Sequence, residues 1–298
     1  MKISNHTDAL ERRFGALSAV RMNCEAGFEA IDYSMYEPTG AVFDLGGVAL
    51  VREMRRVAES CGACFDQAHA PFSRFKIGAE NDAHNRAVYY SIVRSLEIAS
   101  ELGAHTLVVH PAVICPHLSA DDRYEMNMEF YGNLLPRAKN LGIKIAIENM
   151  WGRHKDFRDK IVKDVCSDAG ELIRYVDGMD DPYVTACLDV GHAGLVGEAA
   201  DEMAIALGDR LTAIHIHDND FVSDLHTLPY TSEMNFDSLT SALAKIGYSG
   251  DITLEADCFL KRFPDALVPA ALAFSARIAA HLRDEVTAKI EKRKQRSI

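Results

Sequence analysis

Short apolar or β-branched runs recur along the whole chain, at positions 1–4, 30–33, 64–68, 106–110, 144–148, 184–189, 211–217 and 251–255. Runs of this length, with little polar alternation, fit strands buried on both faces. Stretches with apolar residues three and four apart fill the gaps. Positions 44–61 place Leu50, Met54 and Val57 on one helical face before Gly62,. Positions 81–102 run through Val88, Ile92, Leu96 and Ala99 and stop at Gly103. Positions 124–141 stop at Gly142, and 236–246 stop at Gly247, as helices ending on a left-handed glycine do. Parallel strands need crossover helices. Eight such units in roughly 280 residues predict an α/β chain folded as a single closed (β/α)8 TIM barrel. An open doubly wound sheet would ask for a glycine-rich phosphate loop after the first strand, and Asn5-His6-Thr7-Asp8 is not one,.

The pattern divides the chain into a barrel over residues 1–282 and a basic helical tail over 283–298. The tail carries six basic and three acidic residues and reads as a solvated terminal helix. The alternative is a docking arm that joins copies of the chain into a homo-oligomer. Lys and Arg total 32 against 44 Asp and Glu, a formal charge of −12. That balance repels phosphate backbones and disfavours nucleic acid as a partner. The apolar region 266–282 contains Ser275, Arg277 and His281, so it reads as a buried helix and not a membrane span. The start of the chain lacks the apolar core of a secretory leader. Seven scattered cysteines suit the reduced thiols of a cytoplasmic protein. Cys61 and Cys64 have metal-knuckle spacing, but no second pair accompanies them, and buried small residues are the favoured reading,.

Candidate chemistry gathers at the predicted strand ends, where a barrel builds its site. His69 closes the third strand region, His110 the fourth, Glu148 the fifth, Asp189 and His192 the sixth, His215 and His217 the seventh, and Glu255 the eighth. Several carboxylates around one mouth are costly unless a cation neutralises them. Glu148, Asp189, Glu255 and His215 form a three-carboxylate, one-imidazole set. Hard oxygens with one nitrogen suit Mn²⁺ first, with Mg²⁺, Co²⁺ and Zn²⁺ as alternatives. His217 shares a strand face with His215 and is either a further ligand or a packed neighbour. Asp224 and His226 follow in the next loop, and with His69, His110 and His192 they would hold a second metal beside the first.

At Ile147-Glu148-Asn149, Leu188-Asp189-Val190-Gly191-His192, Ile214-His215-Ile216-His217-Asp218 and Leu254-Glu255 the chain resembles the xylose-isomerase-like barrels. These comprise sugar isomerases and epimerases and the related AP endonucleases. The resemblance spans nearly all of the chain. It implies one divalent metal on Glu148, Asp189, His215 and Glu255, with Glu148 and Glu255 also the acid/base pair. His192, His110 and His69 would touch substrate. Trp151, the lone tryptophan, offers a sugar ring a stacking face or fills the core. The implied activity moves a proton next to a carbonyl of a ketose or related polyol, through an enediolate stabilised by the cation.

The endonuclease branch implies a different use of a larger set. Its nine zinc ligands all find counterparts: His69, His110, Glu148, Asp189, His192, His215, Asp224, His226 and Glu255. That count favours a multinuclear phosphodiesterase, which ranks second because the net charge opposes DNA. A lyase or dehydratase on a cyclic polyol or glycoside is a further alternative that the same metal and carboxylates would serve. A non-enzymatic sugar-binding barrel would predict broken acid/base positions, and Glu148 and Glu255 are intact. The chain departs from the epimerase pattern after the seventh strand, where 219–222 holds no basic residue. The loops after the second and third strands also look poor in basic groups. A phosphorylated substrate is therefore disfavoured unless Arg153, His154 or Lys155 supplies charge.

Overall fold

The computed structural model of the protein describes residues 1–114, 118–154, 156–157 and 160–296. Cys115 and Lys155 lie outside these residues. Eight strands close into a parallel barrel: β1 (Ile3–His6), β2 (Ala30–Ser34), β3 (Cys64–His69), β4 (Thr106–Val109), β5 (Lys144–Glu148), β8 (Val184–Asp189), β9 (Leu211–Ile216) and β10 (Ile252–Leu254). Their order around the barrel follows the chain, and β1 pairs with both β2 and β10. Such closure leaves no free edge. The fold is thus the single (β/α)8 barrel that the alternating pattern predicts.

Among the described residues two further strands, β6 (Trp151–Arg153) and β7 (Ile161–Lys163), form an antiparallel hairpin in the loop after β5. The hairpin leaves no mark in the apolar pattern of the chain. Three-residue strands are too short to show a period, and Gly152 and Arg153 break any apolar run.

The helices are α1 (Asp8–Phe14), α2 (Ala16–Ala26), α3 (Gly47–Ser60), α4 (Asp82–Leu102), α5 (Ala120–Leu141), α6 (Ala169–Met179), α7 (Val190–Leu195), α8 (Ala200–Leu207), α9 (Phe236–Ile246), α10 (Asp257–Lys261) and α11 (Val268–Arg296). α4, α5 and α9 end on left-handed glycines at 103, 142 and 247. α5 begins four residues before the apolar period suggests. Ser119 accepts from the Asp122 amide, and the Asp122 carboxylate accepts in return from the Ser119 amide. This reciprocal cap satisfies donors that a helix start would otherwise leave orphaned.

α11 runs unbroken through positions 282 and 283. By length and composition it is apolar enough to cross a membrane. Yet Val268, Leu272, Ala276, Ala279, Leu282 and Val286 are buried against the barrel. Beyond them Lys289 donates to Asp237 at 2.6 Å and to Thr240 at 2.8 Å, both on α9. The first turns of the basic segment are thereby packed onto the body.

Three strands stop just short of the residues that end their apolar runs. His110, His217 and Glu255 each follow the last strand residue. Pro111 comes directly after His110 and has no amide to continue the ladder,. These side chains consequently stand on the rim of the barrel mouth.

Candidate metal centre and active site

Register places the predicted ligands before any loop is considered. Asp189 pairs directly with His215 across β8 and β9, and His215 with Thr253 across β9 and β10. Glu148 ends β5 next to β8. Side chains alternate along a strand, so these positions face one interior point. Glu148, Asp189, His215 and Glu255 each offer a ligand atom, and all four atoms lie within 4.8 Å of one another.

The geometry centres on one imidazole nitrogen. Nδ1 of His215 lies 3.0 Å from Oε1 of Glu148 and 3.1 Å from Oε2 of Glu255. All four residues are buried. Burial pushes the Glu148 carboxyl up, but the imidazoles of His215 and His110 outweigh it and hold the group well below the usual carboxylate range. Glu255 is held down in the same way, by His6 and His215 against burial. Burial pushes the His215 ring down, and the surrounding negative charge, Glu255 and Glu148 included, raises it well above its ordinary value. Two buried, ionised carboxylates with a third beside one imidazole form a donor set that a hard divalent cation satisfies. The residues therefore fit the metal that the resemblance implies.

The other predicted residues surround this point. His69 Nε2 and His110 Nε2 lie 3.1 and 2.8 Å from Oε2 of Glu148. His226 Nε2 lies 3.2 Å from Asp224, and His192 Nε2 lies 3.9 Å from it. His192, Asp224 and His226 form a second ligand cluster. Three of these rings share one orientation. Nδ1 of His69 donates to the Ala70 carbonyl, Nδ1 of His192 to Asn149 and Nδ1 of His226 to Glu255. A carbonyl only accepts, so each Nδ1 carries a proton, and Nε2 is the ring nitrogen left for a cation to claim. Oδ1 of Asp224 is buried without a hydrogen-bond partner. A cation would satisfy that orphan.

His217 is also buried, with Nε2 3.0 Å from Oδ1 of Asp189. Its ring stacks on His226 at 4.0 Å and 10°. It thus supports one ligand of each cluster.

Above the ligands opens a cavity of about 1010 Å³. Trp151 lines it with Phe72, Tyr36 and Met150. The tryptophan is half-buried on β6, with the Arg153 guanidinium 4.9 Å from its ring centre. It belongs to the mouth, not the core. Arg12, Arg74, Arg123, Lys163 and Lys261 line the same cavity. The mouth is therefore richer in basic groups than the separate loops suggest. Some of that charge is engaged: Arg12 pairs with Asp8 at 2.7 Å and Lys163 with Glu198 at 2.5 Å.

His6, Asp32, Tyr36 and Gln67 also belong to the site and were missed. Tyr36 donates to Oε1 of Glu255 at 2.7 Å. Asp32 is fully buried, 3.4 Å from Nε2 of His215. One signal was legible. An acid in the middle of Ala30-Ile31-Asp32-Tyr33, a run otherwise suited to a fully buried strand, needs a partner,.

Comparison with known proteins bears on the fold and the family. An uncharacterised protein of Methanocaldococcus jannaschii is 30% identical over 192 residues, which cover 63% of this chain and 62% of that protein. Fructoselysine 3-epimerase of Escherichia coli O157:H7 is 24% identical over 178 residues, 58% of this chain and 61% of the relative. The chain thus aligns with about three fifths of the length of these curated relatives. A solved D-tagatose 3-epimerase-like protein superposes with a TM-score of 0.73 at 21% identity, covering 98% of this chain and 99% of that one. The model of one family matches residues 23–278. The chain belongs to the xylose isomerase-like TIM barrel family.

Proposed function

We propose that this protein is a divalent-metal-dependent sugar epimerase or isomerase, acting next to the carbonyl of a ketose or related polyol. The observation that carries this reading is the placement of Glu148 and Glu255 about one imidazole nitrogen at the floor of an open cavity. Both carboxylates are ionised in their buried setting, so each is able to take a proton from a substrate carbon. One would remove the proton and the other return it, as epimerisation requires. Glu148, Asp189, His215 and Glu255 would hold the metal, which when bound supplies positive charge to the oxygens of the enediolate. Mn²⁺ heads the candidates, with Mg²⁺, Co²⁺ and Zn²⁺ behind it. His69, His110, His192 and Trp151 would line the bound sugar. The similarity to a fructoselysine 3-epimerase supports a ketose substrate. The described cysteines are free thiols, in keeping with the reducing cytoplasm to which we assign the chain.

The test is exchange of substrate C–H for solvent deuterium in metal-loaded protein, across a panel of free and phosphorylated ketoses. We expect deuterium at one carbon next to the carbonyl, with inversion there. No exchange in any ketose, together with cleavage of abasic DNA, would move the assignment to the second reading. That reading, a multinuclear phosphodiesterase, is favoured by one observation: His69, His192 and His226 all present Nε2 toward the carboxylates. Three such rings would serve further cations.

A further inference from the structure

Charge is sorted by depth in the cavity above the ligands. Six acids and six bases line it. Glu148, Glu255, Asp8 and Asp257 are buried, and none of the six acids is exposed. Every base except the half-buried Arg123 is exposed. The floor is thus acidic, where a cation would sit, and the rim is basic. That rim stands out in a chain of net charge −12. The cavity is also roomy. At about 1010 Å³ it reaches the upper end of the roughly 300–1,000 Å³ usual for small-molecule sites, which leaves space for a substrate longer than a free ketose.

The basic surplus is local. On α1 and α10, Arg12 and Lys261 line the mouth beside Asp8 and Asp257, two charges of each sign. From the loop after β3, the start of α5 and the β6–β7 hairpin come Arg74, Arg123, Arg153 and Lys163, and Asp164 is the one lining acid among them. Lys163 is engaged by Glu198, and Arg123 donates to the Leu118 carbonyl at 2.8 Å. The Arg74 side chain makes no hydrogen bond or ion pair among the described residues. Its charge does reach Asp164. Burial raises that carboxyl, and the Val165 amide with the guanidiniums of Arg74 and Arg123 pulls it back only in part. Arg74 therefore brings to the rim a positive charge that no carboxylate takes up in an ion pair.

We propose that the substrate is a ketose bearing an anionic group, a phosphate or a carboxylate, at the end away from its carbonyl, and that Arg74 binds that group at the rim. The inference rests on the sugar epimerase or isomerase reading, whose metal and carboxylates take the carbonyl end. A guanidinium offers a planar fork of N–H donors that matches either anion. The floor rejects the same group, because the carboxylates of Glu148, Asp189 and Glu255 outweigh one divalent cation. Attraction at the rim and repulsion at the floor together select one orientation of the substrate.

The test is steady-state deuterium exchange by the Mn²⁺-loaded full-length protein on a panel of ketoses, each as the free sugar, its terminal phosphate and its terminal carboxylate. The natural chain should favour an anionic form by roughly 10–100-fold in kcat/KM, and the form that responds identifies the anion. Added salt should shrink that ratio. Arg74→Gln should bring it close to one by raising KM for the anionic form, and Arg74→Lys should recover part of it. Free ketoses exchanged as fast as both anionic forms overturn the inference and leave the epimerase or isomerase reading standing. A preference that survives Arg74→Gln overturns the assignment to Arg74. Exchange in no member of the panel overturns the epimerase or isomerase reading, and the inference with it.

Discussion

Asn149 and Asp189 exchange two hydrogen bonds across the barrel mouth. Oδ1 of Asn149 accepts from the Asp189 amide at 2.7 Å, and its Nδ2 donates to the Asp189 carbonyl at 2.9 Å. Both residues are fully buried. The pair ties the end of β5, which carries Glu148, to the end of β8, which carries Asp189. Asn149→Ala leaves a buried N–H and a buried C=O unpaired, each costing about 1–3 kcal/mol. Denaturant unfolding of the metal-free protein should show that loss. Mn²⁺ affinity should fall as well, because two ligands lose their shared brace. Unchanged affinity would show that Glu148 and Asp189 are set by their strands alone.

Glu148 and Glu255 are expected to part company with Asp189 and His215 when each is altered. Glu148→Gln and Glu255→Gln keep one oxygen for a metal and lose the base. Each should lower substrate deuterium exchange by about 10²–10⁴-fold, with metal occupancy only partly reduced. Asp189→Asn and His215→Ala should act through lost metal, so excess Mn²⁺ should partly restore them. Exchange rates measured against metal content separate the two classes. Full activity in both Gln variants would leave the carboxylates as structural ligands.

Most of the barrel and half of its floor were legible in the chain. Apolar strand, ligand residue and helix repeat in fixed order. Glu148, Asp189, His215 and Glu255 could therefore be placed at strand ends without coordinates, and the structure brings them within 4.8 Å. The supporting residues were not legible for a physical reason. Asp32 and His6 act by contacts across the barrel, and nothing local distinguishes His6 from any polar residue after a strand. Gln67 and Tyr36 look equally ordinary until β3 and the loop after β2 bring them beside His215 and Glu255. The basic lining of the mouth was hidden likewise. Arg74, Arg123 and Arg153 come from three separate segments and share a cavity only in the folded chain.

Metal binding should release protons near neutral pH. In the metal-free protein burial lowers His215 and His226, but Cys187, Glu255 and Glu148 raise the first, and Asp224 and Glu255 the second, well above the ordinary imidazole value. Glu148, Glu255 and Asp224 are held below theirs by imidazoles, against burial. Near neutrality the carboxylates thus have no proton to give, while the rings hold one that a cation must displace. Affinity should accordingly rise with pH until the raised imidazoles are deprotonated. Calorimetry of Mn²⁺ binding in buffers of different ionisation enthalpy reads the proton count directly. A heat independent of buffer would mean that these rings are already neutral.

Gly191 is fixed by the ring of His217. It sits in α7 with no positive φ, so its backbone would accept any residue. A Cβ there would instead collide with the imidazole of His217. That imidazole cannot yield cheaply, because Nε2 faces Asp189 and the ring stacks on His226. Gly191→Ala should therefore behave as an overpacked core substitution and cost about 1–3 kcal/mol. Its effect should also reach the metal sites, since moving His217 disturbs one ligand of each cluster. His217→Ala alone opens a cavity and removes the ring 3.0 Å from Oδ1 of Asp189. Combined with Gly191→Ala, the added methyl enters the space that the ring vacates. The double variant should then be more stable than the sum of the two single losses implies, by about 0.5–3 kcal/mol for residues in contact. Mn²⁺ affinity should not recover with it, because the double variant still lacks the His217 ring that faces Asp189 and stacks on His226. Strict additivity of the two stability losses would show that His217 relaxes away from position 191 without strain.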